Sequence, residues 1–190
     1  MTSKQIIELQ KHVGTTPDGR WGLKSISACN KHLRNLMPKD NPWPKSDIKS
    51  MTDFYGQPGE SNLVTITFPI TMFYDGKRVK TTRIHKKCAD SFVHVLTQIQ
   101  KLHGDNTHLM DAVSDYGGCF NHRNSRGATS LSKHAWGAAV DLDPDNNPFR
   151  AHWPMKAAMP IEIMEEFARE GWLCAGAAWS FDAMHFQATR

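Results

Sequence analysis

Apolar positions along this chain change their spacing several times, and each change predicts a different element. Between residues 3 and 13 they fall at Ile6, Ile7, Leu9 and Val13, the spacing of one helix face, with Ser3 as the expected N-cap. Thr16-Pro-Asp-Gly19 has turn chemistry, with proline second and glycine closing. A second short helix is predicted over residues 23–34. Pro38, Pro42, Pro44 and Pro58, with Gly56 and Gly59, forbid a long helix in the next stretch, so residues 35–61 read as a linker. Trp43, Phe54 and Tyr55 are large enough to pin parts of it to a neighbouring core.

From Asn62 the period becomes two. Val64, Ile66 and Phe68 alternate with Thr65 and Thr67, a strand expected to end at Pro69. Met72-Phe-Tyr and Val79-Lys-Thr-Thr flank Asp75-Gly76, which reads as a hairpin turn. Helical spacing follows over residues 84–103 through Ile84, Cys88, Phe92, Val95, Ile99 and Leu102. Ala139, Val140 and Leu142 suggest a short buried strand. Ile161, Met164 and Phe167 mark another helix, with Glu162, Glu165, Glu166 and Glu170 assigned to its wet face. Strands and helices in no regular alternation predict an α+β fold: a small antiparallel sheet flanked by helices, with a short helical N-terminal appendage.

Composition narrows the function classes. A chain of 190 residues can bury one good core, residues 62–190 being the expected catalytic domain. No apolar run is long enough to span a bilayer, which takes about 18 residues, and no apolar h-region follows the first residues, so neither membrane insertion nor a secretory leader is expected. Cys29, Cys88, Cys119 and Cys174 contain no C-x-x-C pair and read as buried free thiols. Six basic and two acidic residues lie in 1–34, so the whole net charge of +4 sits there. That surplus suits an anionic surface such as a cell wall, while the dense basic and aromatic patch of a nucleic-acid binder is missing.

The chemistry concentrates in two segments. Ser132-Lys-His-Ala-Trp-Gly-Ala-Ala-Val-Asp-Leu-Asp-Pro144 offers His134 and Asp141, and Asp182-Ala-Met-His-Phe-Gln187 offers His185 with Asp182 beside it. Two imidazoles and a carboxylate suit catalytic zinc, leaving a fourth position for water and a spare carboxylate to take its proton. On an extended stretch 139–143, Asp141 and Asp143 face opposite to Val140 and Leu142, and Gly137 permits a tight bend back to His134. Asp141, Asp143 and Asp145 imitate the start of a calcium loop, but Asn146 stands in place of the turn glycine and His152 in place of the closing glutamate. Asp143 and Asp145 are therefore expected to organise a turn. Trp136, Trp172 and Trp179 fit either a substrate groove or the core, and His122 is notable for adjoining Arg123.

These residues resemble the zinc peptidases that group D-Ala-D-Ala carboxypeptidases with phage L-alanyl-D-glutamate endopeptidases, the LAS enzymes. Ser132, His134, Gly137, Ala139 and Asp141, then Asp182 and His185, match the paired motifs. The stretch Gly118-Cys-Phe-Asn-His-Arg-Asn-Ser-Arg-Gly127 and Gly171-Trp172 look like the phage-lysin branch. The resemblance spans about residues 62–190. It implies Zn²⁺ on His134, Asp141 and His185 in a cleft, Asp182 as general base, Arg123 steadying the carbonyl oxygen with Arg126 the second choice, and Ser132 touching the substrate. Residues 5–34 resemble about half of a peptidoglycan-binding helical module; a helical hairpin that merely packs on the main domain fits them equally. The implied activity is hydrolysis of peptidoglycan peptide stems by a phage endolysin, made in the host cytoplasm and released by a partner such as a holin. D-alanyl-D-alanine carboxypeptidase is the alternative within that chemistry, and a non-haem iron oxygenase or an inactive wall-binding protein the alternatives outside it.

Overall fold

Thr2, not Ser3, starts the first helix. In the computed structural model, which describes residues 1–190, the Thr2 hydroxyl accepts from the Gln5 amide while the Gln5 side chain accepts from the Thr2 amide. This helix, α1 (Ser3–His12), buries Ile6, Leu9 and Gln10, and α2 (Leu23–Leu36) follows the predicted turn. Gln10 ties the turn together. Its amide nitrogen reaches Asp18 Oδ1 (2.8 Å), the Arg20 carbonyl (2.9 Å) and Ser25 Oγ (3.0 Å), and its oxygen accepts from the Gly19 amide.

The stretch read as a linker is anchored. It contains a two-turn helix, α3 (Ile48–Tyr55), capped by the Asp47 carboxylate on the Ser50 amide. Trp43 and Tyr55 are buried there; Trp43 Nε1 donates to the Glu170 carbonyl and the Tyr55 hydroxyl to the Ala188 carbonyl. Prolines on both sides leave too few residues for α3 to show a clear period.

Two boundaries differ from expectation. The first strand does not stop at Pro69: β1 (Leu63–Tyr74) runs on and pairs with β2 (Lys77–His85), their register shifting between Thr67 and Met72. Pro69, which has no N–H to give, thus lies where regular pairing lapses. Ile84 and His85 end β2 instead of opening the helix, so α4 begins at Ala89 (Ala89–His103). A further helix, α5 (Thr107–Ser114), follows, capped by Asn106.

The second sheet carries the chemistry. It is antiparallel throughout, in the order β3 (Tyr116–Gly118), β4 (Ala139–Leu142), β6 (His185–Gln187), β5 (Leu173–Cys174). With α6 (Ile161–Arg169) and α7 (Ala175–Trp179) this completes the expected α+β architecture. Phe92 and Leu96 of α4, Phe167 of α6, Val140 of β4 and Phe186 of β6 are fully buried in one core, and Phe186 stacks on Phe167 at 4.1 Å. Trp136 and Trp172 belong to this core. No helix is long and apolar enough to cross a membrane.

The wet face assigned to α6 needs correction. Glu165 and Glu166 are only 9% and 7% exposed, and α1 and α2 pack over Glu165. Leu9, Val13, Cys29 and Leu33 join the main core, and Asn30 donates to the Ala177 carbonyl. Glu166 is met by Arg169 and Glu165 by two histidines, His12 and His32.

Candidate metal centre

The antiparallel register sets Asp141 of β4 directly opposite His185 of β6, so their side chains leave the sheet as cross-strand neighbours. His134 arrives from a single 3-10 turn, Lys133–Trp136, capped by Ser132, whose hydroxyl accepts from the His134 amide. Gly137 then turns the chain into β4 at φ +65°; a Cβ there would lie 2.5 Å from Leu63 Cδ2 and 2.9 Å from the His85 amide. Only glycine meets both demands.

Three donor atoms converge. His134 Nε2 lies 3.2 Å from Asp141 Oδ1 and 3.1 Å from His185 Nδ1, and the last two are 3.0 Å apart. Ligands of a tetrahedral zinc at ordinary bond lengths stand about 3.3 Å from one another, so the spacing fits. The far side of each ring explains which nitrogen faces inward. His134 Nδ1 donates to the Cys119 carbonyl, leaving Nε2 as a lone pair. Gln187 gives its amide nitrogen to Ser46 and Thr189, so its oxygen accepts from His185 Nε2 and leaves Nδ1 bare. Two lone pairs and a carboxylate aimed at one point call for a cation, and these supports are of the kind that orient metal-binding histidines.

The charge balance agrees. Burial alone would raise the Asp141 carboxyl, yet the adjoining imidazoles hold it far below the usual carboxylate range. Burial opposes charge on His185, but the Asp141 carboxylate beside it pushes it up, the same pull that a bound cation would answer. The donor set thus stabilises positive charge at its centre.

Around it lies a cavity of about 300 Å³ lined by Arg123, Arg126, Ser132, Asp182, Phe149, Trp179 and Phe181 as well as the three donors. Trp179 is 43% exposed and stacks along His185, so it walls the cavity while the other two tryptophans fill the core. Asp182 sits at φ +61°, its carbonyl accepting from the His185 amide. Its Oδ1 is buried with no protein partner, an arrangement whose energy is recovered when a water or substrate group meets it. Burial raises the Asp182 carboxyl, opposed by the positive character of His185.

Both candidate arginines border the cavity. Arg123 donates to the Asn124 carbonyl and also lines an adjoining groove of about 740 Å³. Arg126 lies over the Phe149 ring, and its charge acts on Asp182. His122 is exposed. The aspartates that imitate a calcium loop do not converge: Asp141 faces the histidines, while Asp143 bonds Asn146 and Asn147 and organises the turn. All four cysteines are buried and free, and burial pushes the thiols of Cys29, Cys88 and Cys174 up to about 12, which makes thiolate ligands or nucleophiles unfavourable.

Sequence reasoning did not find Gln187, Ser46 or the Cys119 carbonyl. Gln187 carries the one available signal, since it lies two residues beyond His185 and so shares its face of β6. No curated protein and no solved structure matches the chain. Residues 126–188, which hold all three donors and Asp182 in about a third of the chain, match the family model for D-alanyl-D-alanine carboxypeptidase, and this similarity supports a peptidase that acts on peptidoglycan.

Proposed function

We propose that this protein is a zinc peptidase that cuts the peptide stems of bacterial peptidoglycan, as an L-alanyl-D-glutamate endopeptidase of the phage-lysin type. The observation that carries the reading is the convergence of His134, Asp141 and His185, their rings turned so that one nitrogen of each meets a carboxylate oxygen while the other nitrogen is held by an oxygen acceptor. A zinc ion held by them would polarise a peptide carbonyl and lower the pKa of water toward about 7.

The chain's own residues supply the rest. Asp182 takes the proton of the attacking water at its buried carboxylate and returns it to the leaving amine. Burial raises its affinity for that proton during the transfer. Arg123 donates to the carbonyl oxygen as negative charge develops there, and Ser132 meets the substrate's peptide or carboxylate. Phe149, Trp179 and Phe181 limit water at the reacting bond. The proposed setting is synthesis in a host cytoplasm and release to the wall through a lesion made by a partner such as a holin.

A second reading is D-alanyl-D-alanine carboxypeptidase, which the description of the matching family favours. The two part at the products. Digestion of purified peptidoglycan that creates new D-glutamyl N-termini supports the endopeptidase; release of D-alanine alone overturns it in favour of the carboxypeptidase. An oxygenase would use the same donor set for iron, and turnover that needs iron and oxygen would sink both peptidase readings.

A further inference from the structure

We propose that His12, His32 and Glu165 form a second binding site for a divalent transition ion of the zinc class, one that fastens the N-terminal helices to the catalytic part. Its donors come from three elements: the last residue of α1, the middle of α2, and the face of α6 that the sequence had assigned to solvent. His12 Nε2 lies 2.5 Å and His32 Nε2 2.6 Å from the same Glu165 oxygen, and the two rings meet edge to face at 5.2 Å. All three donor atoms fall within 4.8 Å of one another.

Charge is the argument for an ion. The Glu165 side chain is only 12% exposed, and both its ion-pair partners are imidazoles, with no lysine or arginine among them. Imidazole is not a permanent cation at neutral pH, so a carboxylate largely removed from water has no assured counter-charge. A divalent ion provides one and draws on two imidazoles and a carboxylate, donors that zinc favours. The site is also reachable: His12 is 44% and His32 24% exposed, which leaves room for water to complete the coordination.

Present spacings are hydrogen-bond lengths, each imidazole donating to the carboxylate. For an ion to enter, the rings must draw back toward the ligand separation of about 3.3 Å and shift their protons to Nδ1. No hydrogen bond holds Nδ1 of either ring, so that shift gives up only the two bonds to Glu165 that the ion replaces. The ion would then bridge positions 153 residues apart in sequence.

The test uses untagged full-length protein, stripped with chelator, repurified and titrated with zinc chloride by calorimetry, with bound metal counted by elemental analysis. Wild type should take up two equivalents. His32→Gln should take up one, its lost site weakened by more than the roughly 10–100-fold typical of changes to residues that merely support a ligand. His134→Ala should also retain one equivalent, and zinc should raise its melting temperature; the double variant should bind none and show no shift. Zinc bound by His134→Ala but lost from wild type when only His32 is changed would uphold this site even if the proposed peptidase centre failed. A single equivalent in wild type with none in His134→Ala overturns the proposal, as do two equivalents persisting in His32→Gln. A circular-dichroism melt of each variant checks folding, and Glu165→Gln, close in size to the native residue, repeats the measurement.

Discussion

Two clusters in this molecule have the same composition, a pair of histidines and a carboxylate, and rest on different supports. At His134, Asp141 and His185 two donors stand on paired strands and the third on a capped turn, while both rings have their far nitrogens fixed by an acceptor. At His12, His32 and Glu165 the donors stand on separate helices, and neither ring has its far nitrogen held. Donor spacing follows the support: 3.0–3.2 Å in the first, against 2.5–2.6 Å to the shared oxygen in the second. Ligand identity therefore says which ion could bind. What lies behind each ligand decides whether the donors already stand apart as an ion requires.

The largest test of this contrast is Asp141→Asn. It removes the carboxylate from the pinned cluster and should abolish zinc binding there, lowering peptidoglycan hydrolysis by more than about 10³-fold, since carbonyl polarisation and water activation go together. A turbidity assay on outer-membrane-permeabilised cells, with zinc restored after chelation, measures it. Near-normal lysis would remove the cluster from the reaction.

Asp182→Ala separates binding from chemistry. Zinc uptake should remain because Asp182 is not among the converging donors, while hydrolysis should fall by roughly 10²–10⁴-fold, the usual contribution of a general base. Near-normal hydrolysis by this variant would take that role away from it.

Gln187→Leu addresses the pinning itself. The change leaves all three donors in place but frees His185 Nε2 from its acceptor. Zinc affinity should drop about 10–100-fold, with activity recovered at high zinc. Unchanged affinity would mean that the difference between the clusters lies elsewhere than in the rings' far nitrogens.

The sequence exposed the two clusters unequally, for physical reasons. His134 and Asp141 sit seven residues apart beside a bend glycine and an alternating strand, so spacing and local structure point the same way. His185 and Asp182 repeat that economy in one short segment. His12, His32 and Glu165 share no local pattern; they meet only because α1 and α2 fold back over α6, and a helix read alone assigns its glutamates to water. Strands β3, β5 and β6, of three, two and three residues, are too short for any period to emerge. The passage of β1 through Pro69 depends on an irregular register with β2 that its own residues do not announce.

The smallest effect tests whether the helical region stands apart from the sheet region energetically. Gln10 is 1% exposed and serves three acceptors and one donor within the α1–α2 turn. Gln10→Met keeps most of its volume but leaves the Gly19 amide and the Arg20 carbonyl without that partner, which should cost about 1–3 kcal/mol. Because the loss is confined to α1, α2 and their turn, it should appear as faster hydrogen exchange in residues 3–36, with β4 and β6 unchanged. Zinc should restore much of the protection if the Glu165 cluster clamps these helices, whereas exchange rising equally in β4 and β6 would show that the two regions unfold as one unit.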